Sequence, residues 1–415
     1  MSRHAVSRHA EWVRRYGTPL YVYDLDRVRA ARRDLRASLP EECALFYSLK
    51  ANPHPDVARA LREGDGPPCR AELSSTGELA AALAAGYDPA QALYTGPGKT
   101  RAELAEAVRA GVRAFSAESV GDLRRIGAVA TAHGVVADCL LRVNSAAGHA
   151  ATGIRMTGAP SQFGFDSEVL PDLVDELTSV PGARITGLHL FPLSNARDEA
   201  SLVGEFQHSL ATAARLRDRT GLPLRLLDIG GGFAAPYAVP GARPVYDKLR
   251  VELSAALDLH FPHWRAGDPL VACESGRYLV GDSGELLCSV VDVKVSRGRR
   301  FLVLDAGINA LGGMAGLGRL MPLAARPDRD DVAQVASLVG PLCTPGDVLA
   351  REVGLPDLGV GEVVAIPNAG AYGVTASLLA FLSRPAPVEL VVRGGHVVSA
   401  SRLRHDRVPV GPSAD

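Results

Sequence analysis

Eight short apolar runs of β character, each separated from the next by a helix-like stretch, occupy residues 43–275 and leave few possible folds. The runs are CALFYSL (43–49), CRAEL (69–73), ALYT (92–95), VRAFSA (112–117), ADCLLRV (137–143), RITGLHLF (184–191), LRLLDI (224–229) and PLVACE (269–274). Between them Ala, Leu and Arg recur at helical spacing, as in HPDVARALREG and TRAELAEAVRAG, with longer helical segments near 166–178, 198–220 and 246–259. Thr76 and Thr100, each followed by a glutamate, predict helix starts, and Gly64, Gly86 and Gly111 predict helix stops. Eight alternating units predict an α/β fold, a closed (β/α)8 TIM barrel of parallel strands. The rival, an open doubly wound sheet, needs no eighth strand, and no GxGxxG follows the first run.

After about residue 276 the texture changes. LLCSVVDVKVS, RRFLVLDAG, EVVAIPNAG and VELVVRGGHVV are β-type runs joined by Gly and Pro turns. They predict a second, mostly β domain, and TPLYVYD (18–24) is a strand that can pair with it. The expected division is a barrel over 25–275 and a β-rich domain from 1–24 and 276–415, which suits a chain of 415 residues. A net charge of −1 gives no electrostatic case for nucleic acid or membrane as a partner. The six cysteines have no CxxC pair and no metal-like spacing, so no metal site is expected and a reducing compartment is. The N-terminal MSRHAVSRHAEWVRRYG lacks the apolar centre of a secretory signal, and no run approaches the ~18 apolar residues of a membrane span. A cytoplasmic protein is the expectation.

In a parallel barrel, chemistry gathers where strands end. Lys50 closes the first barrel run, and Asn52-Pro53 breaks the chain just beyond. A lysine there can be a surface residue, or an amine desolvated beside a pocket and so made nucleophilic. The glycines of DIGGGF (228–233) let backbone N–H groups approach an anion, though a glycine triplet also suits a plain loop. Glu274 ends the eighth run with Arg277 three residues on, either a buried acid or a weak surface pair. An amine, a phosphate cradle and an acid at three strand ends are what pyridoxal phosphate needs: an imine to its aldehyde, a hold on its phosphate, and a carboxylate to keep its ring nitrogen protonated.

The stretches YSLKAN, AELSSTGEL, LRVN, GLHLF, DIGGGF, ESGRYLV, VLDAG, GPLCTPGD and GAYG occur in this order along nearly the whole chain. On them the chain resembles the fold-type III pyridoxal-phosphate decarboxylases, the group of diaminopimelate and ornithine decarboxylases. The resemblance implies an alanine-racemase-like barrel, a C-terminal β domain, and a homodimer that shares its active sites. It implies that Lys50 carries the cofactor, that Ser194, Gly230, Gly231, Gly232 and Tyr372 meet the phosphate, and that Glu274 pairs with the ring nitrogen. Arg142 then supports the cofactor, with His189 and Phe191 beside it. Arg277 lies near phosphate or substrate. Cys343, from the partner subunit, returns a proton to the product, and Thr344 and Tyr372 face the substrate.

The sequence departs from the family at three places. Phe191 stands where a histidine usually stacks on the cofactor face, and it offers no proton. Leu193 replaces the glycine before the phosphate-binding serine. Thr344 follows Cys343 where enzymes acting on diamino acids carry an acid, and a neutral threonine cannot pair with a distal ammonium. GPLCTPGDVL and IRMTGAPSQFGFD (154–166) are similar to a subgroup from natural-product and exopolysaccharide gene clusters, one kind of which decarboxylates glutamate tethered to an acyl carrier protein. The expected function is therefore pyridoxal-phosphate-dependent decarboxylation of an amino acid or derivative in a specialised pathway, with an acyl carrier protein as a candidate partner. The alternatives are a decarboxylase of diaminopimelate or another free basic amino acid, a racemase, or a non-catalytic partner-binding homologue. Glu274 argues against the racemase, whose relatives place an arginine at the ring nitrogen. The retained Lys50, Glu274 and Cys343 argue against the non-catalytic reading.

Overall fold

The computed structural model describes residues 3–64, 66–145, 152–155, 157–312, 324–325, 332–409 and 411; Met156 of the IRMTGAPSQFGFD stretch lies outside them. The chain forms two compact units. One comprises Met1–Leu25, Pro236–Gly241 and Ser283–Asp415, the other Asp26–Ala235 and Ala242–Asp282.

The strands up to residue 275 are β1 (Leu20–Asp24), β2 (Ala44–Ser48), β3 (Arg70–Leu73), β4 (Leu93–Tyr94), β5 (Ala114–Ala117), β6 (Ala137–Asn144), β7 (Thr152–Arg155), β8 (Phe165–Asp166), β9 (Ala183–Leu190), β10 (Leu193–Ala196), β11 (Leu226–Asp228) and β12 (Leu270–Ser275). Each of the eight apolar runs supplies one barrel strand. The order β2-β3-β4-β5-β6-β9-β11-β12 closes back on β2, and every neighbouring pair is parallel. Apolar side chains fill the interior: Phe46, Leu93, Leu140 and Ala272 cluster, with Ala44, Ala114 and Leu226 against them. This is the layered packing that makes such a barrel a core rather than a pore. Helices occupy the connections. The helix Arg101–Ala110 starts at Thr100 with a full capping box to Glu103 and stops at left-handed Gly111. The helix Thr76–Ala84 is capped one residue earlier than Thr76, by the Ser75 hydroxyl accepting from the Glu78 N–H.

The second unit holds β1 with β13 (Gly284–Ser296), β14 (Arg299–Leu304), β15 (Gln334–Val339), β16 (Val348–Leu355), β17 (Val363–Ile366), β18 (Val388–Arg393) and β19 (His396–Arg402). Their order is β16-β15-β14-β13-β1-β18-β19, with β17 also on β13. The N-terminal β1 runs antiparallel to β13 and parallel to β18. Trp12, Leu20, Val22, Leu287, Leu390 and Val392 form the core on one face.

On the other face Glu389 is buried, accepting a hydrogen bond from the Tyr23 hydroxyl at 3.1 Å. Burial pushes its carboxyl up to about 7, partly offset by that bond. The folded state therefore holds a proton that the unfolded chain releases at lower pH. This contribution is fully present below the ordinary carboxylate pKa and is lost as pH rises through about 7. Glu389→Gln should remove about 2–3 kcal/mol of that decline, read by comparing denaturation curves of the two proteins from pH 4 to 8.

Candidate active site

Lys50 lies in a single 3-10 turn, Leu49–Ala51, directly after β2. Its side chain is 39% exposed, and its ammonium lies 3.1 and 3.3 Å from the carboxylate oxygens of Glu72 on the adjacent β3. Glu72 is buried and also accepts from the hydroxyls of Ser74 and Thr95. The ammonium is 5.4 Å from the centre of the Phe191 ring, and the Arg142 guanidinium is 5.7 Å from the same ring. Arg142, at the end of β6, is buried, donates to Glu118 at 3.0 Å and packs on Phe163 at 4.7 Å. Glu118 is fixed in turn by the Gly164 N–H at 2.9 Å.

Below this lies a buried acid pair. Glu274 (β12) and Asp228 (β11) are shielded from solvent beside His189 (β9). His189 Nδ1 bonds the Ser116 hydroxyl at 2.8 Å, and its Nε2 stands 3.2 Å from Glu274 Oε1. Burial opposes ionisation of Glu274, but the His189 imidazole, the Lys50 ammonium and the Arg142 guanidinium outweigh it and bring its pKa to about 2. Burial and the neighbouring Glu274 charge push Asp228 well above the usual carboxylate range. The two carboxyls titrate as one coupled pair, in which burial and mutual repulsion favour a single negative charge. Glu274 Oε1, His189 Nε2 and Asp228 Oδ2 are buried without a well-aligned hydrogen-bond partner among the described residues. The three groups could converge on a cation, but an acceptor charge left open also suits a protonated nitrogen heterocycle.

The glycine triplet follows β11. Gly230 has φ +75° and gives its N–H to Asp228 at 2.8 Å. A Cβ there would come within 2.4 Å of the Leu190 carbonyl oxygen, and one on Gly231 within 2.2 Å of the Glu274 carbonyl oxygen. The triplet thus lets the strand ends close together. Ser194 sits on β10, which pairs antiparallel with β7 and receives further support where the Ala196 N–H meets the Gly232 carbonyl at 2.9 Å. Arg277 is buried at the start of the helix Arg277–Val280.

An amine at one strand end, an open buried carboxylate and a glycine turn in one barrel fit pyridoxal phosphate, and the comparisons agree. Residues 25–281 match the pyridoxal-binding domain of the pyridoxal-dependent decarboxylases. The chain belongs to this family. It is 31% identical over 92% of its length to the L-glutamyl-[BtrI acyl-carrier protein] decarboxylase of Niallia circulans, covering 90% of that protein. It is 34% identical over 92% of its length to the diaminopimelate decarboxylase of Methanothermobacter thermautotrophicus, covering 88% of it. The crystal structure of Helicobacter pylori diaminopimelate decarboxylase with L-lysine superposes with a TM-score of 0.78 at 25% identity, covering 92% of this chain and 94% of that one. The protein is a pyridoxal-phosphate-dependent decarboxylase acting on an amino-acid-like substrate.

Within the decarboxylase, the barrel brings Lys50, Arg142, His189, Phe191, Gly230, Gly231 and Glu274 to one place. Cys343, Thr344 and Tyr372 belong to the β unit. Cys343 is exposed on the loop between β15 and β16. Buried Asp347 shapes that loop, accepting from the N–H groups of Leu342 and Ile308, both at 2.7 Å. Asp347→Ala strands two buried donors and should cost about 2–4 kcal/mol, measured by chemical denaturation. Tyr372 has φ +53°, and its carbonyl accepts from the Tyr237 hydroxyl at 3.0 Å. Glu72, Ser116 and Asp228 have no site role in the sequence reading, and Glu118 stands there only as a strand-end residue with no assigned task. Glu72 lies one residue inside its strand, and Asp228 directly precedes the glycines that drew attention.

Proposed function

We propose that this decarboxylase removes the α-carboxylate of an amino-acid derivative in a specialised biosynthetic pathway, with the substrate carried on an acyl carrier protein. The observation that carries the reading is Thr344, a neutral residue after Cys343 where a distal ammonium would need an acid. The carrier-protein decarboxylase of Niallia circulans, similar over nine-tenths of the chain, supports it. A thioester through the α-carboxyl would leave nothing to remove, so attachment must run through another carboxyl of the substrate.

Pyridoxal phosphate supplies an electron sink for the pair released when carbon dioxide leaves. Lys50 is the amine that would hold the cofactor, Glu72 positions that amine, and Glu274 would accept from a protonated ring nitrogen. The Gly231 and Gly232 turn, the Ser194 hydroxyl and the Tyr372 hydroxyl would hold the phosphate, with Gly230, whose N–H is given to Asp228, shaping the turn and Arg277 near phosphate or substrate. Phe191 would cover one ring face and supplies no proton. In this reading Cys343, contributed by a second subunit, returns the proton to the product carbon, and the enzyme is a cytoplasmic homodimer with shared sites. No helix among the described residues is long and apolar enough to cross a membrane.

Diaminopimelate decarboxylation is the second reading, favoured by the 34% identity to an enzyme of that name. The two separate when the purified holoenzyme is given free ornithine, lysine, diaminopimelate, arginine and glutamate beside aminoacyl groups loaded on a carrier protein, with loss of carbon dioxide read by mass spectrometry. Turnover confined to carrier-bound or non-basic substrates is expected. Efficient turnover of a free dibasic amino acid would overturn the reading of Thr344.

A further inference from the structure

The barrel has a second concave site at its other end. On the helix Leu25–Ser38, Arg29, Arg32, Arg33 and Arg36 fall at i, i+3, i+4 and i+7, one stripe of the helix. With Arg250 they line a cavity of about 320 Å³. Its place is fixed by hydrogen bonds. Arg36 donates to the carbonyl of Cys43, just before β2, at 2.8 Å and to that of Pro68, just before β3, at 3.2 Å. Arg32 donates to the carbonyls of Gly66 and Pro67 at 3.2 and 2.8 Å. The cavity is therefore at the N-terminal ends of β2 and β3, whereas Lys50 follows the C-terminal end of β2. A five-residue strand spans ~17 Å, so the two sites are separate.

Like charges at i, i+4 repel, and this stripe contains two such pairs, 29/33 and 32/36. Only two carboxylates, Glu41 and Glu63, line the cavity with the five guanidinium groups, and Glu63 is engaged by Arg62 at 3.0 Å. Asp34, on the same helix, is engaged by Arg243. Asp65 lies outside the described residues. Arg36 Nε is buried without an acceptor among the described residues. Burial foremost, with the Arg32 charge adding to it against the Cys69 thiol, lowers the Arg36 pKa. Arg29 and Arg33 make no ion pair or hydrogen bond with the described residues. Guanidinium forks match phosphoryl oxygens in pairs.

We propose that this cavity is a binding site for a small anion bearing linked phosphoryl groups, of the pyrophosphate or nucleoside diphosphate class, remote from the decarboxylation chemistry. The inference does not depend on the substrate. It is tested by isothermal titration of the holoenzyme, with saturating pyridoxal phosphate filling its own phosphate site, at constant ionic strength. Inorganic phosphate, pyrophosphate and ADP are the probes. Pyrophosphate should bind with a Kd below about 1 mM and more tightly than phosphate. ADP matching pyrophosphate would show that the phosphoryl pair alone is read, and ADP binding more tightly would assign the nucleotide class. Arg29→Ala with Arg33→Ala leaves the backbone-bound Arg32 and Arg36 in place, so the fold and the decarboxylase rate should persist. Loss of two charge-assisted contacts should weaken pyrophosphate roughly 100-fold. No binding to the wild-type holoenzyme, or equal affinity in the double variant, would overturn the proposal.

Discussion

Replacing Lys50 with alanine should reduce carbon dioxide release by at least ~1,000-fold, about 4 kcal/mol of transition-state stabilisation. The chain has only four lysines, at 50, 99, 248 and 294. Lys99 cannot substitute. It is buried, its ammonium donates to the Ser116 carbonyl at 2.8 Å and to the Gly96 carbonyl, and it pairs with Asp122 at 2.6 Å. Lys50 has one carboxylate partner in Glu72, an exposed face, and an aromatic ring 5.4 Å away. Stopped-flow or endpoint carbon dioxide measurement on the purified variant, checked for native thermal unfolding, gives the comparison. A variant retaining a tenth or more of the wild-type rate would remove Lys50 from the chemistry.

The second large effect divides the buried acid pair. The His189, Lys50 and Arg142 neighbours favour the ionised form of Glu274, whereas burial and the Glu274 charge push Asp228 up, so the two should respond unequally to amide substitution. In the proposed mechanism Glu274→Gln removes the negative charge that would face the cofactor nitrogen, and the decarboxylation rate should fall ~100-fold. Asp228→Asn replaces a carboxyl pushed toward its neutral form with a neutral amide that can still face Glu274 and accept from the Gly230 N–H, and the rate should stay within about fivefold. Steady-state rates with one substrate at saturation provide the test, together with the absorbance spectrum of bound cofactor, which should change in the Glu274 variant alone. Equal losses would mean that the charge is shared rather than placed.

Much of this architecture is legible in the sequence because local chemistry and tertiary structure agree. Each barrel strand is a short apolar run bounded by turn residues, and Thr100 with Glu103 announces its helix unaided. Lys50 and Glu274 stand at strand ends, where a parallel barrel must place its site. The unreadable parts are tertiary. The pairing of β7 with β10 joins two four-residue segments some forty residues apart in sequence. β15 and β16, outside the β-type runs, are joined through a polar loop that depends on Asp347. Glu72 and Asp228 acquire roles only through burial beside Lys50 and Glu274, and sequence spacing carries no record of a carboxyl pushed up by burial and a neighbouring charge.

The most direct test of the account is to reduce the holoenzyme with borohydride, digest it and map the pyridoxyl group by mass spectrometry. The account predicts one modified peptide, carrying the label on Lys50 and missing from Lys50→Ala. Label on Lys99, Lys248 or Lys294, or no label from a protein that has bound the cofactor, would contradict it.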